Sequence, residues 1–492
     1  MNVGLLIPLI IYLLIMIGLG FYANRGSTDR EGFLLAGRGL GAWVMSLSYA
    51  FSGMSSYVLV TFVGIVVVQG PSSFWILIGF NVGFTLAYLL IGRRIRNYSQ
   101  LLGAVTYAEY YRKRVRQCGG AINLIVSIII VLMMSVYVAS QLIATGKTAQ
   151  AIFGIPSWVA VLIAAVVVLV YCIAGGFKAV SLTDFIQGLL ILIGMIITAC
   201  ILLSMRGGLG NVMQENIAIH PDWAHATYGK AGMAFIGTAL GWITSGLSLI
   251  GRPHDTIRFF AIKNSGEIRK AYFSNMLALS IVYWMALVIA MAGNLFFPDL
   301  QDGELLFGQL VSTVLPPVIG GGIMVVFMGL MMSTIDSQLF SASSTFVNDV
   351  LNRFSKKDVK EKSDEQKEIR NIQICMVVVS ILAIIIALAW KNSPVLRVTQ
   401  YASAGMAGVF CAPLILSLYW KKLTGPGTVA GMICGFAAAV ISMHTVYKIH
   451  SGWPVGVAIL VGFVVTIVVS LVTKNPYEDE IAKELEQIKK EF

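Results

Sequence analysis

An all-helical, polytopic membrane protein of about thirteen transmembrane helices is the fold class this sequence predicts, on three observations. Only 12% of its 492 residues are charged while 57% are hydrophobic. A water-soluble domain carries about 25% charged residues, so too little polar surface remains to coat a globule. Apolar runs of spanning length, roughly 20 residues each, recur from one end of the chain to the other. Lysines and arginines also fall in alternate loops between those runs, as expected of a chain threaded back and forth through a bilayer.

The runs follow in order. Residues 4–22 form the first. No basic residue precedes it and no A-x-A site follows it, so it reads as a retained helix rather than a cleaved signal. Residues 41–68 are over-long, and SLSYAFSGMSSYVLV (46–60) interrupts them with Gly53 and a series of serines. Then come 73–92, 120–145, 157–175, 184–205, 231–251 and 272–297. The run 308–346 is again over-long and polar in its second half; 372–390, 397–419, 427–447 and 454–473 complete the set. The tail from Asn475 is charged, with Ile481, Leu485 and Ile488 on one helical face, and is expected at the membrane surface.

Charge sets the orientation. Of the 35 lysines and arginines, all but Lys147, Arg206, Lys230, Lys391, Arg397 and Lys448 fall in loops on one side, beginning with Arg25, Arg30 and Arg38. The positive-inside rule makes that side cytoplasmic, with the N-terminus outside and the C-terminus inside a multi-pass cell-membrane protein. The same rule accounts for the sequence pI near 9.3 without nucleic acid. The run NRFSKKDVKEKSDEQKEIR (352–370) reads as a solvated cytoplasmic loop. Six cysteines show no CxxC or metal-like spacing and read as small packing residues.

Polar groups inside the runs carry the chemistry. A carboxylate at mid-membrane costs roughly 2.5–3.5 kcal/mol on insertion scales. Asp184 lies near the cytoplasmic end of its run, where a helix cap or an interfacial position is the alternative to a functional role. Asp336 sits deeper, amid Ser333, Thr334, Ser337, Ser341, Ser343 and Ser344, where simple helix packing is the alternative. Breaking the 41–68 helix at mid-membrane frees backbone carbonyls, tolerable only where they face protein or a water-filled site. Carbonyls with nearby hydroxyls make an all-oxygen cage suited to a hard monovalent cation, and discontinuous helices point to a transporter site; the alternative is a flexible packing kink. No HExxH, P-loop or GxSxG motif is present, and no base stands beside the serines, so no enzyme class competes.

At these residues the chain resembles the sodium:solute symporter family, most closely its sodium/proline branch. The resemblance is carried by LLAGRGLGAWVMSLS (34–48), GMSS (53–56), AGGFKAVSLTDFIQG (174–188), GRPHDTIRF (251–259), MSTIDSQL (332–339) and YASAGMAG (401–408), in that order. It implies a leucine-transporter-like five-plus-five inverted repeat. Residues 41–206 would be the first repeat and 230–420 the second, with an extra helix and loop in 1–40, two helices in 427–473 and a tail in 474–492. It also implies a sodium site made by the carbonyls of Phe51, Met54 and Leu330 and the hydroxyls of Ser333 and Thr334. Asp184, Asp336 and Ser337 would serve a second ion or the exit path. Ser55, Ser56, Tyr57, Tyr137, Gln141, Ser245 and Leu249 would line the solute.

The resemblance breaks at the solute. Proline symporters usually have Asp where this chain has Gly53 and Trp where it has Tyr57. Against their WGLGYFGQPH this chain reads SGLSLIGRPH, so Ser245 and Leu249 replace a Trp and a Tyr. No lysine or arginine is expected within the core spans, so a solute carboxylate would have to meet a half-helix N-terminus or sodium itself.

The implied function is sodium-coupled import of a small organic solute, proline or another small amino acid first. Sodium- or proton-coupled uptake of a short monocarboxylate or pantothenate is the alternative, ahead of a passive channel or a transporter-like sensor. Sodium and membrane lipid are the expected partners beside the solute, with no organic cofactor, no nucleic acid and the oligomeric state left open.

Overall fold

The computed structural model describes residues 3–23, 30–225, 227, 230–351 and 362–490. Arg25 and residues 352–361 of the basic loop expected at 352–370 lie outside them. Helix α1 spans Val3–Ala23, and α2 spans Ala42–Met54. Helix α2 stops at Ser55, whose φ of 57° and ψ of −175° place an L-residue in a region such residues rarely adopt. The helix resumes as α3 (57–69), started by the Ser55 hydroxyl, which accepts the Tyr57 N–H at 3.1 Å. Next come α4 (74–101), the short polar helix α5 (Tyr107–Val115) and α6 (Gly119–Phe153). Thr106 caps α5 by accepting the Glu109 N–H at 3.1 Å.

The run Ser157–Met205 is two helices, α7 (157–175) and α8 (177–205), joined across Gly176 at φ 61° and ψ −175°. After α9 (Leu209–Ile219), a second break separates α10 (Gly232–Gly251) from α11 (Pro253–Ala261) at extended Arg252. The later long helices are α12 (Ile268–Asn294), α13 (Pro317–Leu351), α14 (Lys362–Ala389), α15 (Val395–Tyr419), α16 (Gly425–Thr445), α17 (Trp453–Val472) and α18 (Glu478–Lys490). Among the described residues the only β pairing is an isolated bridge between Leu40 and Ile262.

Among the described residues, ten helices are long and apolar enough to cross a membrane. The expected count of about thirteen is not reached by that measure. Ile7–Leu19 and Ser157–Val170 are shorter apolar helices, and the second expected span is shared between α2 and the stretch Tyr57–Leu101.

Packing brings the two broken helices together. A Cβ on Gly79 or Gly83 of α4 would strike the carbonyls of Trp242 or Gly246 in α10, so α4 and α10 meet backbone to backbone. On the basic-loop side, Leu40 N–H donates to Ala261 O at 3.1 Å and Lys263 N–H to Leu40 O at 2.9 Å. These bonds tie the entry of α2 to the exit of α11. The extra helix α1 lies against α8 and α13, where Tyr12 OH accepts from Gln187 Nε2 at 2.9 Å and donates to Met332 Sδ at 3.7 Å.

The tail differs from its expected place at the membrane surface. Helix α18 docks on the protein, with Ile481 and Ile488 buried. Glu484 accepts from Tyr98 OH at 2.7 Å and pairs with Arg116, and Lys421 reaches Glu478 at 3.0 Å. Docking on a basic loop gives those carboxylates partners that a bilayer surface would not.

Candidate cation and solute site

The first constellation forms where α13 crosses the end of α2. Phe51, Ser52, Met54, Leu330, Ser333 and Thr334 are all fully buried. The Thr334 hydroxyl lies 3.1 Å from both Ser52 O and Leu330 O, within donating reach of either. Ser333 Oγ donates to Leu330 O at 3.2 Å. The carbonyl of Phe51 accepts the Ser55 N–H at a long 3.3 Å, and the Ser52 hydroxyl has no hydrogen-bond partner. Thr334 thus joins the two helices through a carbonyl adjacent to Phe51. The donor set is all neutral oxygen, which suits a hard cation of low charge.

A second constellation lies alongside. Asp184 Oδ2 accepts from Ser48 Oγ at 2.6 Å and from Arg258 Nη2 at 2.9 Å. Arg258 also donates to Ser337 Oγ at 2.7 Å and to Ser48 Oγ at 2.7 Å. Asp184 and Arg258 are wholly buried, a pairing that offsets a desolvation cost of several kcal/mol per ion. Asp336 accepts the Ser337 N–H through its own Oδ1 at 2.5 Å. The expected trio of Asp184, Asp336 and Ser337 is therefore brought together, with a guanidinium among them.

The residues expected to line a solute gather around the two breaks. Ser56 donates from both N and Oγ to Gln141 Oε1 at 2.9 and 2.7 Å, fixing the start of α3 on α6. Tyr57 is buried against Phe80, ring centroids 5.7 Å apart. Ser245 Oγ accepts from Gln400 Nε2 at 3.0 Å. A Cβ on Gly53 would lie 3.6 Å from Leu249 Cδ2, so Leu249 fills space beside the first break.

One expectation fails here. Basic residues are not absent from the core: Arg252 and Arg258 are both buried, on either side of Asp255. Arg252 Nη2 donates to Ser248 Oγ and Ser403 Oγ, each at 3.0 Å, and Nη1 reaches Gly53 O at 3.4 Å. Its guanidinium carbon lies 5.4 Å from the Tyr137 ring centroid. Hydropathy ends at Gly251, which places both arginines in a loop, yet Pro253 starts a helix that carries Arg258 back into the protein, with Arg252 at its N-cap. The available signal is the alternation of charge at Arg252, Asp255 and Arg258, three residues apart from the N-cap into the helix.

The model of the sodium:solute symporter family matches residues 33–435. The osmoregulated proline transporter OpuE of Bacillus subtilis (strain 168) is 28% identical over 488 residues, covering 97% of this chain and 96% of the relative. A sodium/proline symporter of Staphylococcus aureus (strain bovine RF122 / ET3-1) is 29% identical over 483 residues, with 96% and 93% covered. Among solved structures, a substrate-bound, outward-open Na+-coupled sialic acid symporter superposes with a TM-score of 0.78 at 16% identity, covering 95% of this chain and 97% of its own. A nucleobase-cation-symport-1 family transporter gives 0.56 at 9% identity, with 93% and 98% covered.

Proposed function

The chain belongs to the sodium:solute symporter family, and from that premise we propose that it imports a small organic solute on a sodium gradient by alternating access. Residues 41–206 and 230–420 act as the two inverted repeats, with the basic loops cytoplasmic and the N-terminus outside. The observation that carries the reading is the Thr334 hydroxyl set between Leu330 O and Ser52 O. Sodium bound to those carbonyls, with Phe51, Met54 and Ser333, draws α13 onto the first break, and its loss releases them. Because the break residues also approach the solute, one ion stabilises the closed arrangement of both.

Arg258 occupies the position between Asp184 and Ser337 that a second cation would need, which supports a single coupled sodium. For a solute of zero net charge, one sodium falling through ~100 mV contributes about 2.3 kcal/mol. A tenfold gradient adds roughly 1.4 kcal/mol, enough for accumulation of a few hundred fold. The named relatives handle proline, but Gly53, Tyr57, Ser245 and Leu249 depart from the proline pattern, and a short monocarboxylate is the second candidate.

The test is uptake into proteoliposomes with and without an inward sodium gradient, using proline and a short acid. Ser333→Ala or Thr334→Ala should raise the sodium concentration for half-maximal uptake at least tenfold and that for solute far less. Unchanged sodium dependence in both variants would remove the assignment of the ion to these residues.

A further inference from the structure

We infer that Arg252 is the anchor for the solute's carboxylate, and that the solute is a small monocarboxylate without a fixed positive charge. This rests on the symport reading above. The guanidinium is buried where the second broken helix is open, facing the first break across Gly53. Burying a charge is costly unless its donors are used, and those of Arg252 are used poorly. Two meet neutral hydroxyls, a third reaches a carbonyl at 3.4 Å, and Nε–H meets nothing.

A structural ion pair with Asp255 is the competing explanation. The closest approach, 3.8 Å between Nη1 and Oδ2, is too long for a hydrogen bond, and neither Asp255 oxygen accepts one. Asp255 therefore balances charge without engaging the planar fork, which is shaped for a carboxylate in two parallel bonds. Arginine at this position replaces the glutamine of the proline pattern, while glycine replaces its aspartate.

Those two exchanges act in one direction. They add a cation and remove an anion from the same spot, as expected where a solute's ammonium is absent. Tyr137, whose ring face would attract an ammonium, already has the Arg252 guanidinium beside it. Apart from the Asp255 carboxylate that balances its charge, what surrounds the anchor is neutral: Ser248 and Ser403 on the guanidinium, the Ser245–Gln400 pair one helical turn before them, and Leu249 beside Gly53. A small aliphatic acid matches that lining.

Matched pairs of ligands differing only in the amine test the inference: cyclopentanecarboxylate against proline, and propionate against alanine. Binding is read by thermal shift and by competition on purified full-length protein with sodium present. Each acid should bind at least tenfold more tightly than its amine-bearing counterpart. Arg252→Gln should weaken acid binding at least tenfold while keeping the sodium-induced thermal shift, and Arg252→Lys should restore part of it. Amino acids binding as tightly as the acids would overturn the inference, as would acid binding indifferent to Arg252→Gln in a variant that still responds to sodium. If Arg252→Gln does not fold, the wild-type ranking and Arg252→Lys decide the matter. Failure of both acids to bind, with the sodium shift intact, removes the carboxylate class alone. Absence of any sodium response in the wild-type protein removes the symport reading instead.

Discussion

Gly53 shows how one residue position sets the charge of the site. A Cβ there would lie 3.0 Å from Phe84 Cζ and 3.7 Å from Asp255 Oδ2, close to the guanidinium of Arg252. Gly53→Asp would therefore place a carboxylate within reach of the donors that Arg252 leaves open. Crowding against Phe84 should cost about 1–3 kcal/mol of stability. The larger effect should be on binding: with Arg252 claimed internally, the propionate concentration for half-saturation should rise at least tenfold, while sodium still stabilises the protein. Ligand titration by thermal shift would show it, and unchanged propionate binding would mean that Arg252 does not face this space. Legibility in the sequence divides along the same chemistry. Ser333 and Thr334 stood out because hydroxyls beside an acid are conspicuous in an apolar run. Arg252 and Arg258 did not, because a window that scores apolar content stops at Gly251 and assigns the next charges to water. Burial of a charge depends on partners such as Asp184, 74 residues away in sequence, which no local pattern displays.

At the level of elements, the breaks govern what can move. The first was readable from Gly53 and its serines. The second was hidden, since α11 has only nine residues, too few for a spanning run. On the face opposite the basic loops, the turn at 302–305 fastens several helices together. Lys147 of α6 meets Glu304 Oε2 at 2.5 Å and Asp302 Oδ2 at 3.4 Å. Glu304 Oε1 accepts the Val395 N–H at the start of α15 at 2.9 Å, and a Cβ on Gly64 of α3 would touch the Glu304 backbone. A cavity of about 490 Å³ lined by Lys147, Gln150, Trp158, Asp302 and Lys391 lies beside this junction. These contacts join α3, α6 and α15 at one junction, which would act as a latch if α3 closes over the site during transport. Glu304→Gln should therefore raise the solute concentration for half-maximal uptake about three- to tenfold, by loosening the closed form. Lys147→Ala should do the same, and the double variant should be little worse than either, because both remove one interaction. Strictly additive effects in a double-mutant cycle would show that the pair does not act as a latch.

Over the whole molecule, the question is how much charge each transport cycle moves. The carrier returns to its starting state after each cycle, so buried pairs such as Asp184 with Arg258 and Asp255 with Arg252 move no net charge and the cargo decides the net movement. If Arg258 keeps its hold on Asp184 and Ser337, a sodium held at Ser333 and Thr334, as proposed above, would be the one cation that travels. One sodium with one monocarboxylate carries no net charge, so the ~2.3 kcal/mol available from 100 mV is not used. The sodium gradient alone then sets accumulation, about tenfold for a tenfold gradient. Propionate uptake into proteoliposomes should therefore respond to an inward sodium gradient and stay within about 1.5-fold when valinomycin and potassium impose a negative-inside potential. A zwitterion carried with the same sodium would respond strongly to that potential, because the pair moves one positive charge. Strong stimulation of propionate uptake would mean that a second cation enters with each acid. Asp184 and Asp336 would then be its natural holders, with the Arg258 guanidinium leaving their side during the cycle.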